Sequence, residues 1–162
     1  MEEKKVSGNG AGDSGHDRIL VLLHVNDSTS DQVIFQAACR AARVPITWHI
    51  ADSAAKGINY LRTLLTQSKA HEVCWPDLIL LDIVMPVENG FSVLKFVRST
   101  PELQRTPVVV FTGFDRDEWR EEATRLGASS FLVKPSQFEE TIRIARALYD
   151  AWVHTPPRDL KN

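Results

Sequence analysis

Cysteine is scarce in this chain, with two in 162 residues. Cys39 falls within a helical pattern and Cys74 in a loop, so no disulfide framework is expected and a reducing, cytoplasmic setting suits the sequence. An excess of one charge sign is also missing: 19 basic and 21 acidic residues leave a formal net charge of −2. No basic stripe and no interleaving of aromatic with basic residues favours nucleic acid or an anionic membrane as a partner. No apolar run approaches bilayer-spanning length, and the charged N-terminus lacks an apolar core segment, so neither insertion nor export is expected.

What the chain does have is 43% hydrophobic content, enough at this length for one real core and too little for two. We expect a flexible tail over 1–17, one folded domain over 18–153 and a short tail over 154–162, with no second module. Gly8-Asn9-Gly10-Ala11-Gly12-Asp13 superficially suggests a dinucleotide fingerprint. It precedes the first strand instead of following it, and Asp13 stands where the last glycine belongs, so it reads as linker.

The folded part alternates two patterns. Short aliphatic runs at 18–25, 45–51, 77–82, 107–112 and 129–134 read as buried strands. Between and after them, apolar residues recur at helical spacing: Val33, Ile34, Ala37, Ala38, Ala41 and Ala42; Ala54, Ile58, Leu61, Leu64 and Leu65; Phe91, Val93, Leu94 and Val97; Trp119, Ala123 and Leu126; Phe138, Ile142, Ala145, Tyr149 and Trp152. Ser28, Thr29 or Ser30, then Asp52 or Ser53, then Asp115 are candidate N-caps, and Gly127 stands where a helix closes. Five strands alternating with five helices predict an α/β fold, a doubly wound parallel sheet joined by right-handed crossovers.

Polar residues end four of these strands: Asp27, Asp82, Thr112 and Lys134. In a parallel sheet they share one edge, the edge at which open α/β folds hold ligands. Asp82 is the most telling, because a carboxylate at the end of Leu78-Ile79-Leu80-Leu81 is costly unless something cationic meets it. Two carboxylates, a hydroxyl and an amine gathered there could bind a divalent cation and hold a phosphoryl group.

The motifs Val25-Asn26-Asp27-Ser28, Leu80-Leu81-Asp82-Ile83-Val84-Met85-Pro86, Val110-Phe111-Thr112-Gly113 and Gly127-Ala128-Ser129-Ser130-Phe131-Leu132-Val133-Lys134-Pro135 stand in one order along the chain. In that order they resemble the receiver domains of two-component response regulators, over about 18–152. The segments before Trp75-Pro76-Asp77 and around 100–107 look most like the single-domain regulators of bacterial phytochrome-type histidine kinases. The resemblance implies a five-stranded flavodoxin-like sheet of order 2-1-3-4-5, with Asp82 as phosphoacceptor from a sensor histidine kinase or a small phosphodonor. It implies Mg²⁺ held by Asp27, Asp82 and the backbone carbonyl of Val84, with Lys134 and Thr112 on phosphate oxygens and Thr112 with Phe131 as the switch. Gly113 would leave room for the donor, and Val84 and Phe114 would flank the route of a hydrolytic water.

Asn26 departs from the family's pattern, which has an acidic residue there; it implies only a water-mediated contact and weaker Mg²⁺ binding. The output implied is a changed protein-contact surface on the last two helices, which is also a candidate homodimer surface, with an unnamed downstream protein as partner. The alternative is a phosphorylation-independent interaction module. A phosphohydrolase of the haloacid-dehalogenase kind would need a second aspartate where Val84 stands. His71, Glu72 and Cys74 lack the second ligand pair of a zinc site, and His24 and His49 read as structural residues on strands.

Overall fold

The computed structural model describes residues 18–68 and 73–155. In chain order the elements are β1 (Leu20–Val25), α1 (Thr29–Ala41), β2 (Ile46–Ala51), α2 (Ala54–Gln67), β3 (Leu78–Leu81), α3 (Phe91–Ser99), β4 (Val108–Thr112), α4 (Asp117–Arg125), β5 (Ser130–Val133) and α5 (Phe138–Val153). The strands form one sheet in the order β2-β1-β3-β4-β5, and every pairing is parallel. This is the flavodoxin-like arrangement that the motifs implied. The ladders are shorter by a residue or two than the aliphatic runs, and polar side chains at the strand starts also bond to the neighbouring strands. Val21 N–H donates to Asp77 Oδ2 at 2.9 Å, and Val108 N–H donates to Ser129 Oγ at 3.1 Å.

Side chains on successive strand positions point to opposite faces, and each face carries its own core. Leu23, Val25, Ile79, Leu81, Val108 and Val110 pack with Ala54 and Leu61 of α2, Leu94 and Val97 of α3, and Ala123 of α4. Leu20, Leu22, Leu78, Leu80, Val109 and Phe111 pack with Phe35 and Ala38 of α1 and with Ala145 and Tyr149 of α5. All four residues of β3 are buried. Each such leucine contributes roughly 2 kcal/mol of burial, which fixes the strand whose end carries Asp82.

Ser28 and Ser53 cap α1 and α2, accepting from the N–H groups of Asp31 and Lys56. Gly127 closes α4 at φ +84°, the left-handed conformation that glycine adopts without a Cβ penalty. Two expectations are corrected. Asp115 does not cap α4, whose N-cap is Arg116 without a side-chain bond; its carboxylate pairs instead with Arg120 at 2.5 Å.

The stripe expected on α1 is also out of phase. Val33 and Ile34 are 53% and 47% exposed, and the buried side chains are Gln32, Phe35, Ala38 and Cys39. Phe35 decides the phase: its ring meets those of His24, Trp48 and Phe111 at 5.8, 6.2 and 5.5 Å between centroids. One aromatic seated among aromatics outweighs two aliphatic side chains left at the surface. Burial pushes the Cys39 thiol up to about 12, so Cys39 behaves as a small hydrophobe. On α5, Tyr149 Oη donates to the Arg18 carbonyl at 2.7 Å, and the Arg18 guanidinium lies 4.3 Å from the centre of the Trp152 ring. These aromatics therefore serve the packing of the chain on itself. Among the described residues, no helix is long and apolar enough to cross a membrane.

Candidate functional site

The parallel register brings the strand ends together. Val25 pairs with Leu81, and Asp82 N–H extends that ladder by donating to the Val25 carbonyl at 2.9 Å. On the other side Thr112 pairs with Val133, and Lys134 N–H donates to the Thr112 carbonyl at 2.7 Å. Asn26, Asp82, Thr112 and Lys134 thus stand at one edge of four adjacent strands.

Asp82 is only 6% exposed, and both of its oxygens are engaged. Oδ1 accepts from Val84 N–H at 3.0 Å, an Asx turn that fixes the side chain against its own loop. Oδ2 lies 2.6 Å from Lys134 Nζ. The cation that a strand-end carboxylate requires therefore comes from a residue 52 positions away. Thr112 is fully buried, and its hydroxyl has no hydrogen-bond partner. An orphaned buried hydroxyl is costly, which marks it as a group waiting for an acceptor. Gly113 leaves open space, with no atom within 4 Å of where a Cβ would sit.

Asp27 is exposed at the end of β1. Asn26 is fully buried, and its Oδ1 accepts from Ser28 N–H at 2.8 Å. Its Nδ2 has no partner within hydrogen-bond distance, although the amide lies close enough to Asp31 to help keep that carboxylate ionised. Phe131 is half-buried, with the Arg120 guanidinium 4.6 Å from its ring centre. Phe114 is 51% exposed and Val84 39%; the Phe114 ring rests edge-on against Trp119 at 5.9 Å.

One residue at the pocket was not among those expected there: Asp31, in the first turn of α1. Its Oδ2 lies 2.6 Å from Lys134 Nζ, so the lysine is shared between two carboxylates. Burial raises the Asp31 carboxyl, but the hydrogen bond and charge of Lys134, with Asn26 and Ser28, outweigh it and hold it below the ordinary value. An acid in a first turn reads from sequence as a helix-dipole residue, and nothing local announces a partner 103 positions on.

Among the described residues, no three His, Cys, Asp or Glu side chains gather closely enough to cage a metal ion. His71 and Glu72 of the rejected zinc reading lie outside the described residues. The groups expected from the sequence to hold a cation, the carboxylates of Asp27 and Asp82 and the Val84 carbonyl, are all oxygens. Such a set fits a hard cation that keeps much of its water.

His24 lies behind this pocket, 1% exposed, with Nδ1 unpartnered. Burial, reinforced by the Lys134 charge and partly opposed by Asp31, pushes its imidazole down to about 4. Between pH 6.5 and about 4 the unfolded chain therefore binds a proton that the native state refuses, and stability rises with pH. The contribution is complete above pH 6.5 and lost toward pH 4, a loss of about 3 kcal/mol. His24→Leu should flatten that part of the profile in urea titrations at several pH values, and an unchanged slope would refute the assignment.

Fold and pocket define a class: a doubly wound α/β protein with a lysine-bridged aspartate at the carboxyl edge of its central strand. The chain belongs to the response regulator receiver domain family, whose model matches residues 31–146. It is 25% identical to the response regulator Rcp1 of Synechocystis sp. over 135 residues, 83% of this chain and 90% of Rcp1. Against the two-component response regulator ORR1 of Oryza sativa subsp. indica the identity is 27% over 77% of this chain, which spans only 53% of that protein. Among solved structures, the phosphorylated cyanobacterial phytochrome response regulator RcpA superposes with a TM-score of 0.74 at 25% identity, over 87% of this chain and 100% of RcpA. The Mn²⁺-bound form of Rcp1 superposes at 0.67 and 24% identity, over 85% of this chain and 96% of that one.

Proposed function

We propose that this receiver domain accepts a phosphoryl group on Asp82 from a sensor histidine kinase and signals by the protein contacts that follow. The observation that carries the reading is Lys134 Nζ at 2.6 Å from buried Asp82 Oδ2, beside a buried Thr112 hydroxyl that has no partner. An Asp82 oxygen attacks phosphorus, the P–N bond to the kinase histidine breaks, and the electron pair leaves with the imidazole. The result is an acyl phosphate. Lys134 pairs with one phosphoryl oxygen as a point charge and Thr112 donates its hydroxyl to another. Asp27, Asp82 and the Val84 carbonyl would hold Mg²⁺, which when bound offsets the repulsion between the carboxylate and the arriving phosphoryl charge. Asn26, its Oδ1 already committed to Ser28, adds no negative charge to that set.

Movement of Thr112 toward the phosphate frees space for Phe131 to turn inward, which alters the surface of α4, β5 and α5. The likeness to the phytochrome response regulator RcpA supports a phytochrome-type kinase as donor. Intact mass after incubation with acetyl phosphate and Mg²⁺ tests the reading. One added phosphoryl group is expected on the wild type and none on Asp82→Asn. No gain on the wild type would favour a phosphorylation-independent interaction module, and steady consumption of acetyl phosphate without a stable adduct would favour a hydrolase.

A further inference from the structure

Ser28 and Asp31 have the spacing of a capping box, in which the acid at the third helical position reaches back to the N–H of the cap residue. That reciprocal bond is missing. Ser28 N–H donates to Asn26 Oδ1 at 2.8 Å, and Asn26 thereby relieves Asp31 of the capping task. The Asp31 carboxylate turns across the pocket to Lys134 Nζ at 2.6 Å. The lysine side chain is 16% exposed and that of Asp31 35%, so the ammonium is largely shielded from competing water.

We infer that Asp31 is a positioning residue for Lys134, a second anchor that keeps the ammonium beside Asp82 while Asp82 changes from carboxylate to acyl phosphate. This rests on the phosphoacceptor reading. A lysine ammonium has three donors on a flexible stem. When Asp82 forms its bond to phosphorus, negative charge moves from the carboxylate to the phosphoryl oxygens, and the N–H on Oδ2 must be re-aimed. With a single anchor the whole side chain is released at that moment. With Asp31 holding a second N–H, one donor is redirected and the stem stays in place, so little ordering remains for the transition state.

A double-mutant cycle on the full chain tests this, with acetyl phosphate and Mg²⁺ as the probe and the phosphorylation rate followed by intact mass. Asp31→Asn keeps the shape and removes the charge; it should lower the maximal rate about fivefold, a size typical of coupled contacting groups, and leave the half-saturating donor concentration within about twofold. Asp31→Glu should recover part of the rate. In a Lys134→Met background, and equally in Lys134→Gln should the first fold poorly, Asp31→Asn should have little further effect, within about twofold. A wild-type rate in Asp31→Asn, or an effect that multiplies with the loss of Lys134, would overturn the inference while leaving the phosphoacceptor reading intact. A wild type that takes up no phosphoryl group would overturn both.

Discussion

Gly90→Ala should destabilise the protein by about 3 kcal/mol, the upper range for a group forced into a filled space, and lower the unfolding midpoint by about 10 °C. The backbone conformation does not demand glycine there: φ is −58° and ψ −18°, open to any residue. The demand is steric. A Cβ at this position would overlap the Asp82 carbonyl oxygen and lie 2.9 Å from Ile83 Cα and 3.0 Å from the Asp82 carbonyl carbon. All three neighbours are backbone, so no side chain can swing away to make room. Gly90 N–H also donates to the Ile83 carbonyl at 3.2 Å, which draws the start of α3 onto the end of β3. To accept a methyl group the whole connection must open, and Asp82 moves with it. Gly113→Ala is the control, since nothing lies within 4 Å of its added Cβ; it should stay within about 0.5 kcal/mol of wild type. Thermal and urea unfolding of the two variants side by side decide the matter, and equal stabilities would refute the packing argument.

That contrast also separates what a sequence can disclose from what it cannot. The strands were legible because burial on both faces leaves unbroken aliphatic runs such as Leu78-Ile79-Leu80-Leu81, and the caps Ser28 and Ser53 because capping is a local bond. Gly127 was legible for the same reason. The phase of α1 was not, since Val33 and Ile34 fit a helical stripe as well as Phe35 does until Trp48 and Phe111 are known to face it. Asp115 was a sound cap by type, but an arginine one turn into α4 took its carboxylate. That Asp82 and Lys134 share an edge followed from their places at strand ends, whereas the direct ion pair between them did not. Asp31 escaped because it reaches the pocket from a helix, and nothing near it along the chain points to a contact across the sheet.

Lys134→Met should cost about 3 kcal/mol of stability, whereas Asp82→Asn should cost under about 1 kcal/mol. The two variants break the same bond, yet they leave different residues behind. Without the lysine, the Asp82 carboxylate, whose side chain is 7% exposed, keeps its charge in a pocket with no cation, and Asp31 loses its partner in the same step. Removing one member of a buried pair costs far more than the pair was worth, because the remaining charge stays desolvated. Without the Asp82 charge, Lys134 retains Asp31 at 2.6 Å, and an amide oxygen at position 82 can still accept from Val84 N–H. Urea titrations of both variants at pH 7 measure the difference. Equal losses would show that the lysine is held at the pocket for some reason other than the charge of Asp82.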